Sequence, residues 1–103
     1  MRFLLVALLL LITFGTVHVA SAETPKELTQ QCQKGKAGAC VTLGRMYADG
    51  TGVTQDFFKA VELFRQACDG QAAEGCWMLG LMYDQGTGVT QDAVKAVEFF
   101  RQA

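Results

Sequence analysis

Four cysteines have the most chemistry to offer here, and their spacing is regular. Cys32 and Cys40 enclose seven residues, and so do Cys68 and Cys76. Zinc favours ligand pairs two to four residues apart, often with imidazole. No such close pair occurs, and the only histidine, His18, lies near the N-terminus. A C-x-x-C redox motif is absent as well. In an oxidising compartment an even, regularly spaced set reads as a disulfide framework. Four cysteines permit three pairings. Cys32–Cys40 with Cys68–Cys76 is preferred, because each pair falls at the same point of an internal repeat. Closing a nine-residue loop should stabilise by about 2.6 kcal/mol on the chain-entropy model. Neither a metal site nor a cofactor is expected.

Other reactive side chains are scarce. Beyond residue 22 the chain has no serine and no histidine, Ser21 and His18 being the only ones. That excludes an S-x-x-K nucleophile, a Cys–His pair and an imidazole-ligated zinc hydrolase from residues 23–103. Thr51 and Thr87 lie in glycine-rich loops with no evident base nearby. Those loops lack the G-x-x-x-x-G-K-[ST] pattern and a preceding strand, so they read as interhelical turns. Tyr47 and Tyr83 fall on an apolar helical stripe, where packing is their role. The catalytic residues, if any, are not identifiable.

The elements that position these residues come twice. Laid over itself with a shift of 36, the chain from Cys32 to Ala67 matches Cys68 to Ala103 at 22 of 36 positions. GTGVTQD occurs at Gly50 to Asp56 and again at Gly86 to Asp92. A period of this length marks an array whose units bury their apolar faces by stacking on each other. Residues 23–35 read as a leading helix, with Thr24 as cap, Pro25 at the first helical position and Glu27 completing a capping box. Residues 36–67 and 68–103 are the two repeats. Each has a first helix with a stripe at three- and four-residue steps: Ala39, Leu43, Met46 and Tyr47, then Cys76, Leu79, Met82 and Tyr83. Gly44 and Gly80 in mid-helix signal close helix approach. Gly50 and Gly86 are expected in the left-handed position past the helix end. Asp56 and Asp92 should cap the second helices. These carry inward stripes Phe57, Ala60, Val61, Phe64, Ala67 and Ala93, Ala96, Val97, Phe100, Ala103. Lys59–Glu62 and Lys95–Glu98 are expected as solvated ion pairs.

Residues 1–22 have the layout of a secretory signal peptide: Arg2, an apolar run from Phe3 to Phe14, and Ala20-Ser21-Ala22 before Glu23. An uncleaved anchor is the rival reading, since the stretch nearly spans a bilayer of about 30 Å. Thr13, Gly15, Thr16 and His18 dilute it, and cleavage is preferred. The protein is then secreted or periplasmic, with no membrane attachment after cleavage. Residues 23–103 carry eight basic and ten acidic side chains, a net charge of −2. No basic patch is visible, so no nucleic-acid partner is expected. The mean hydropathy of +0.20 is largely owed to residues 1–22.

The pattern LGxMYxxGTGVTQDxxKAVExFRQA resembles the Sel-one-like repeat, a relative of the tetratricopeptide repeat. The Cys-x7-Cys at each junction narrows the resemblance to the Helicobacter cysteine-rich (Hcp) family of exported proteins. It covers Cys32 to Ala103. It implies an all-α fold, a right-handed superhelix of antiparallel helix pairs with one disulfide per repeat junction. Members of that family are described as penicillin-binding proteins and slow β-lactamases, while other Sel-one-like proteins are adaptors that hold peptides or proteins in a groove.

The residues favour the second function over the first. In related repeats the first helix of each unit lines the concave side. Thr42, Arg45 and Asp49 stand there in the first unit, opposite the core stripe, with Met78, Leu81 and Gln85 at the same points of the second. Trp77, the single tryptophan, replaces Val41. The candidate ligand groove is therefore Arg45, Thr42, Asp49, Trp77 and Leu81, and its expected occupant is a peptide, a protein or a cell-wall glycan fragment. The runner-up is a β-lactamase acting on β-lactams or cell-wall peptides. The period places a further cysteine just after Ala103, so the array is expected to be truncated. Its last helix would then be uncapped and open to self-association.

Overall fold

In a computed structural model, residues 23–103 are described, and the leader expected over residues 1–22 lies outside them. Five helices follow one another: α1 (Pro25–Gln33), α2 (Ala37–Asp49), α3 (Phe57–Asp69), α4 (Ala73–Gln85) and α5 (Ala93–Gln102). No strand occurs among the described residues. Each helix packs on its neighbours in sequence, and α2 also touches α4. That is the contact pattern of stacked helical hairpins, with α2–α3 and α4–α5 as the two units.

The helix ends follow from the residues placed there. Thr24 Oγ1 accepts from the backbone N–H of Glu27 at 3.2 Å, and Pro25 opens α1. Asp56 and Asp92 accept from the N–H groups of Lys59 and Lys95, each at 3.1 Å. Gly50 and Gly86 close α2 and α4 with φ of 72° and 67°, a conformation that only glycine adopts freely. The repeated heptapeptide does the same work in both units. Gln55 and Gln91 donate their side-chain amides back to the Ala48 and Asp84 carbonyls at 2.8 Å. The Asp56 and Asp92 N–H groups bond the Tyr47 and Tyr83 carbonyls. Removing one cap should weaken only its own helix start. Asp56→Ala is expected to lower stability by about 1 kcal/mol, read as a shifted urea midpoint with an unchanged slope.

The core lies between the helix pairs. Leu28, Cys40, Leu43, Leu63 and Ala67 form one buried cluster, and Phe64, Cys76, Leu79, Met82 and Tyr83 form the next. Helix α3 serves both, because adjoining stripes of it, Leu63 and Ala67 beside Val61, Phe64 and Cys68, enter the two clusters. A Cβ on Gly44 would come within 2.7 Å of the Phe64 ring, and one on Gly80 within 2.6 Å of the Phe100 ring. Both glycines therefore admit an aromatic ring from the second helix of their own unit, as their mid-helix placement implies.

Two staples join this stack. Cys32–Cys40 ties α1 to α2, and Cys68–Cys76 ties α3 to α4 across the unit boundary. Among the described residues no cysteine is free.

The second-helix stripes are less uniform than their sequences. Ala60, Val61, Phe64 and Ala67 are buried, and Leu63, which the stripe omits, is buried too. Phe57, at the first turn, is 39% exposed. In the other unit only Ala96 is fully buried, and Val97 is 48% exposed. The reason is stacking: α4 covers the Val61 face of α3, and no described helix covers the matching face of α5. The expected Lys–Glu pairs are absent as well. Lys59 and Lys95 instead lie over the Tyr47 and Tyr83 rings, each 5.4 Å from the ring centre. A ring face offers a cation an attraction without holding two long exposed chains in one geometry.

Candidate functional site

At about 100° per residue, Gly38, Thr42, Arg45 and Asp49 share one face of α2, and Glu74, Met78, Leu81 and Gln85 share the matching face of α4. The stacking sets these two lines side by side. Arg45 and Glu74 form an ion pair across the unit boundary, both about half exposed. Such a pair contributes about 0–1 kcal/mol at most. It joins the two first helices on their shared open surface, whose register the packed core and the Cys68–Cys76 bridge hold.

The candidate residues divide accordingly. Thr42, Arg45 and Asp49 are exposed on α2, and Leu81 is half-buried on α4. These four belong to one surface. The Thr42 hydroxyl is already engaged, donating to the Gly38 carbonyl at 3.1 Å, which leaves its lone pairs for a ligand. Trp77 is placed differently. It lies about 60° around α4 from the Glu74–Leu81–Gln85 line, and its ring packs on Phe100, 4.7 Å between centres. With 49% of its surface exposed, it forms the rim between that surface and α5.

Glu74 is the residue that sequence reasoning missed. Its signal was the repeat itself: Glu74 replaces Gly38 of the first unit, and a shift of one period brings that position beside Arg45. Another cross-unit link was also missed, in which Arg65 Nη2 of α3 donates to the Tyr83 hydroxyl of α4 at 2.9 Å. Both tyrosines sit in the packing, Tyr83 buried and Tyr47 half-buried. Thr51 is exposed and Thr87 half-buried, each in its turn. Among the described residues no three His, Cys, Asp or Glu side chains gather as metal ligands.

This surface presents an arginine paired with the Glu74 carboxylate, a second carboxylate at Asp49, the Thr42 hydroxyl, the apolar Met78 and Leu81, and the aromatic rim at Trp77.

Residues 37–71 and 73–103 each match the model of the Sel1 repeat. No curated protein matches the chain by sequence. Among solved structures, Helicobacter pylori cysteine rich protein B superposes with a TM-score of 0.73 at 29% identity, covering 76% of this chain and 59% of that one. A protective antigen of uropathogenic Escherichia coli displaying an SLR fold gives 0.76 at 33% identity, over 80% of this chain and 18% of that one. A Sel1 repeat protein from Oxalobacter formigenes gives 0.74 at 25%, over 77% and 32%. The chain thus spans between about a fifth and three-fifths of these relatives.

Proposed function

The chain belongs to the Sel1 repeat family, as a relative of the Helicobacter cysteine-rich proteins, and from that premise we propose that it is an exported recognition scaffold. The α2–α4 surface would hold a peptide, a protein segment or a glycan. The observation that carries this reading is the Arg45–Glu74 pair on one continuous face of two neighbouring first helices. It gives the surface fixed polar anchors beside the apolar Leu81 and Met78. Two disulfides, and relatives of the cysteine-rich type, fit an extracytoplasmic protein. Removal of residues 1–22 completes the proposal, with Glu23 as the new N-terminus. Self-association is a further mode, supported by the exposed Val94 and Val97 on α5.

Selection of a random displayed peptide library on the oxidised protein tests this. Enriched peptides should lose at least about tenfold in affinity for the doubly substituted Arg45→Glu, Leu81→Lys protein. Enrichment no greater than on the reduced, unfolded chain would overturn the proposal. The competing β-lactamase reading has a separate assay. A chromogenic cephalosporin should show no repeated turnover by protein made in a host lacking β-lactamases. Many turnovers, abolished by one substitution on the α2–α4 surface, would replace the scaffold with an enzyme.

A further inference from the structure

A cleft of about 180 Å³ opens between α1 and α3, on the second-helix side of the stack and away from the α2–α4 surface. Buried Leu43 and Leu63 form its base, and Thr29, Lys59, Glu62 and Gln66 stand around it. Shifted by one period, the same positions lie between α3 and α5. Leu43, Lys59, Glu62 and Gln66 recur there as Leu79, Lys95, Glu98 and Gln102, but Thr29 becomes Arg65 and Leu63 becomes Phe99.

Those two larger side chains meet at Tyr83. The Arg65 guanidinium donates to its hydroxyl at 2.9 Å. Phe99 stacks on its ring, 5.5 Å between centres and 18° between planes. Lys95 lies over the same ring. One tyrosine thus accommodates an arginine, an aromatic ring and a lysine together. In the first unit Lys59 lies over Tyr47 in the same way. Thr29, however, is far too short to supply the guanidinium, and among the described residues no arginine donates to the Tyr47 hydroxyl.

We propose that the α1–α3 cleft binds an arginine side chain of a partner polypeptide, whose guanidinium takes the place that Arg65 holds in the second unit. The Tyr47 hydroxyl, the repeat equivalent of Tyr83, supplies the neutral acceptor that Arg65 uses in the second unit. Glu62 and Gln66 on the cleft wall add a charge-assisted and a neutral acceptor that Arg65 does not use there, and Leu43 and Leu63 line the path of the methylenes. Lys59 does not forbid a second cation, since Lys95 and Arg65 share one tyrosine in the other unit. The planar guanidinium spreads five donors over these separated acceptors, which a compact ammonium does not. This site does not depend on the α2–α4 surface.

N-acetyl-arginine-N-methylamide and its lysine counterpart, titrated into the isotope-labelled oxidised chain, are the probes. The arginine compound should give saturable amide shifts confined to α1, α3 and the Leu43–Tyr47 stretch of α2, and the lysine compound should bind at least about fivefold more weakly. Thr29→Arg, which copies the second unit, should abolish the shifts by filling the cleft from within. Glu62→Gln should weaken binding about tenfold. If Thr29→Arg fails to fold, Leu63→Phe makes the same test by closing the cleft from α3. Shifts that are absent, scattered over the surface, or undiminished in a folded cleft-filling variant would overturn the proposal.

Discussion

Reducing both disulfides, or replacing Cys32, Cys40, Cys68 and Cys76 with alanine, is expected to abolish cooperative thermal unfolding. Each bridge closes a short loop between consecutive helices, and each contributes about 2.6 kcal/mol by restricting the unfolded chain. Two together approach the whole stability of a small domain, roughly 5–15 kcal/mol, and so few stacked units have little core to spare. The two bridges are unequal in position. Cys32–Cys40 holds only α1 to the stack, whereas Cys68–Cys76 holds one unit to the other. Cys68→Ala with Cys76→Ala should therefore cost the α2–α4 surface its register, and with it peptide binding. Cys32→Ala with Cys40→Ala should chiefly loosen α1 and the arginine cleft. Circular dichroism melts under oxidising and reducing conditions read the first effect. A cooperative transition at the oxidised midpoint, from a chain shown to carry four free thiols, would contradict it.

Gly75→Ala should be strongly destabilising although it adds only one methyl to a helix. A Cβ at that position would lie 2.6 Å from the Ala67 Cβ, 2.9 Å from the Cys68 nitrogen and 3.1 Å from the Ala67 carbonyl carbon. Two of these are backbone atoms of α3, so no side-chain rotation relieves the clash, and α3 and α4 must separate against the Cys68–Cys76 bridge. Alanine gains about 1 kcal/mol in helix propensity, and overpacking of a tight core costs about 1–3 kcal/mol or more. With rigid backbone on one side the upper end applies, for a net loss of about 2 kcal/mol. That corresponds to a drop of about 8–16 °C in Tm for a domain of this size. Gly38→Ala is the matched control. It is a helical glycine in the same staple-to-helix segment with nothing within 4 Å, so it should raise Tm by several degrees. Equal effects of the two substitutions would show that helix approach does not set the cost at Gly75.

The fold was legible because both units repeat the same local instructions. Asp56 and Asp92, Gly50 and Gly86, and the heptapeptide between them specify caps and a turn through bonds within a few residues. Gly44 and Gly80 declared a close approach twice. The limits of that reading are equally physical. Val61 and Val97 are the same residue in the same register, yet one is buried and the other is not, because burial depends on a neighbouring unit. Lys59 stands three residues from Glu62 but lies over Tyr47, an alternative offered by the other helix of the hairpin. The surface was legible in part for the same reason. Thr42, Arg45, Asp49 and Leu81 follow from helical phase, whereas Glu74 enters only when unit is stacked on unit. Trp77 stood out by its type, and its ring turned out to be shared with Phe100.

Amide shift mapping of the isotope-labelled oxidised chain, saturated with the best peptide selected on it, tests the scaffold account most directly. The account predicts perturbations centred on Thr42, Arg45 and Asp49 of α2 together with Glu74, Leu81 and Gln85 of α4, fading across Trp77. Perturbations that leave those two helices untouched, in a protein whose bridges are intact, would contradict it.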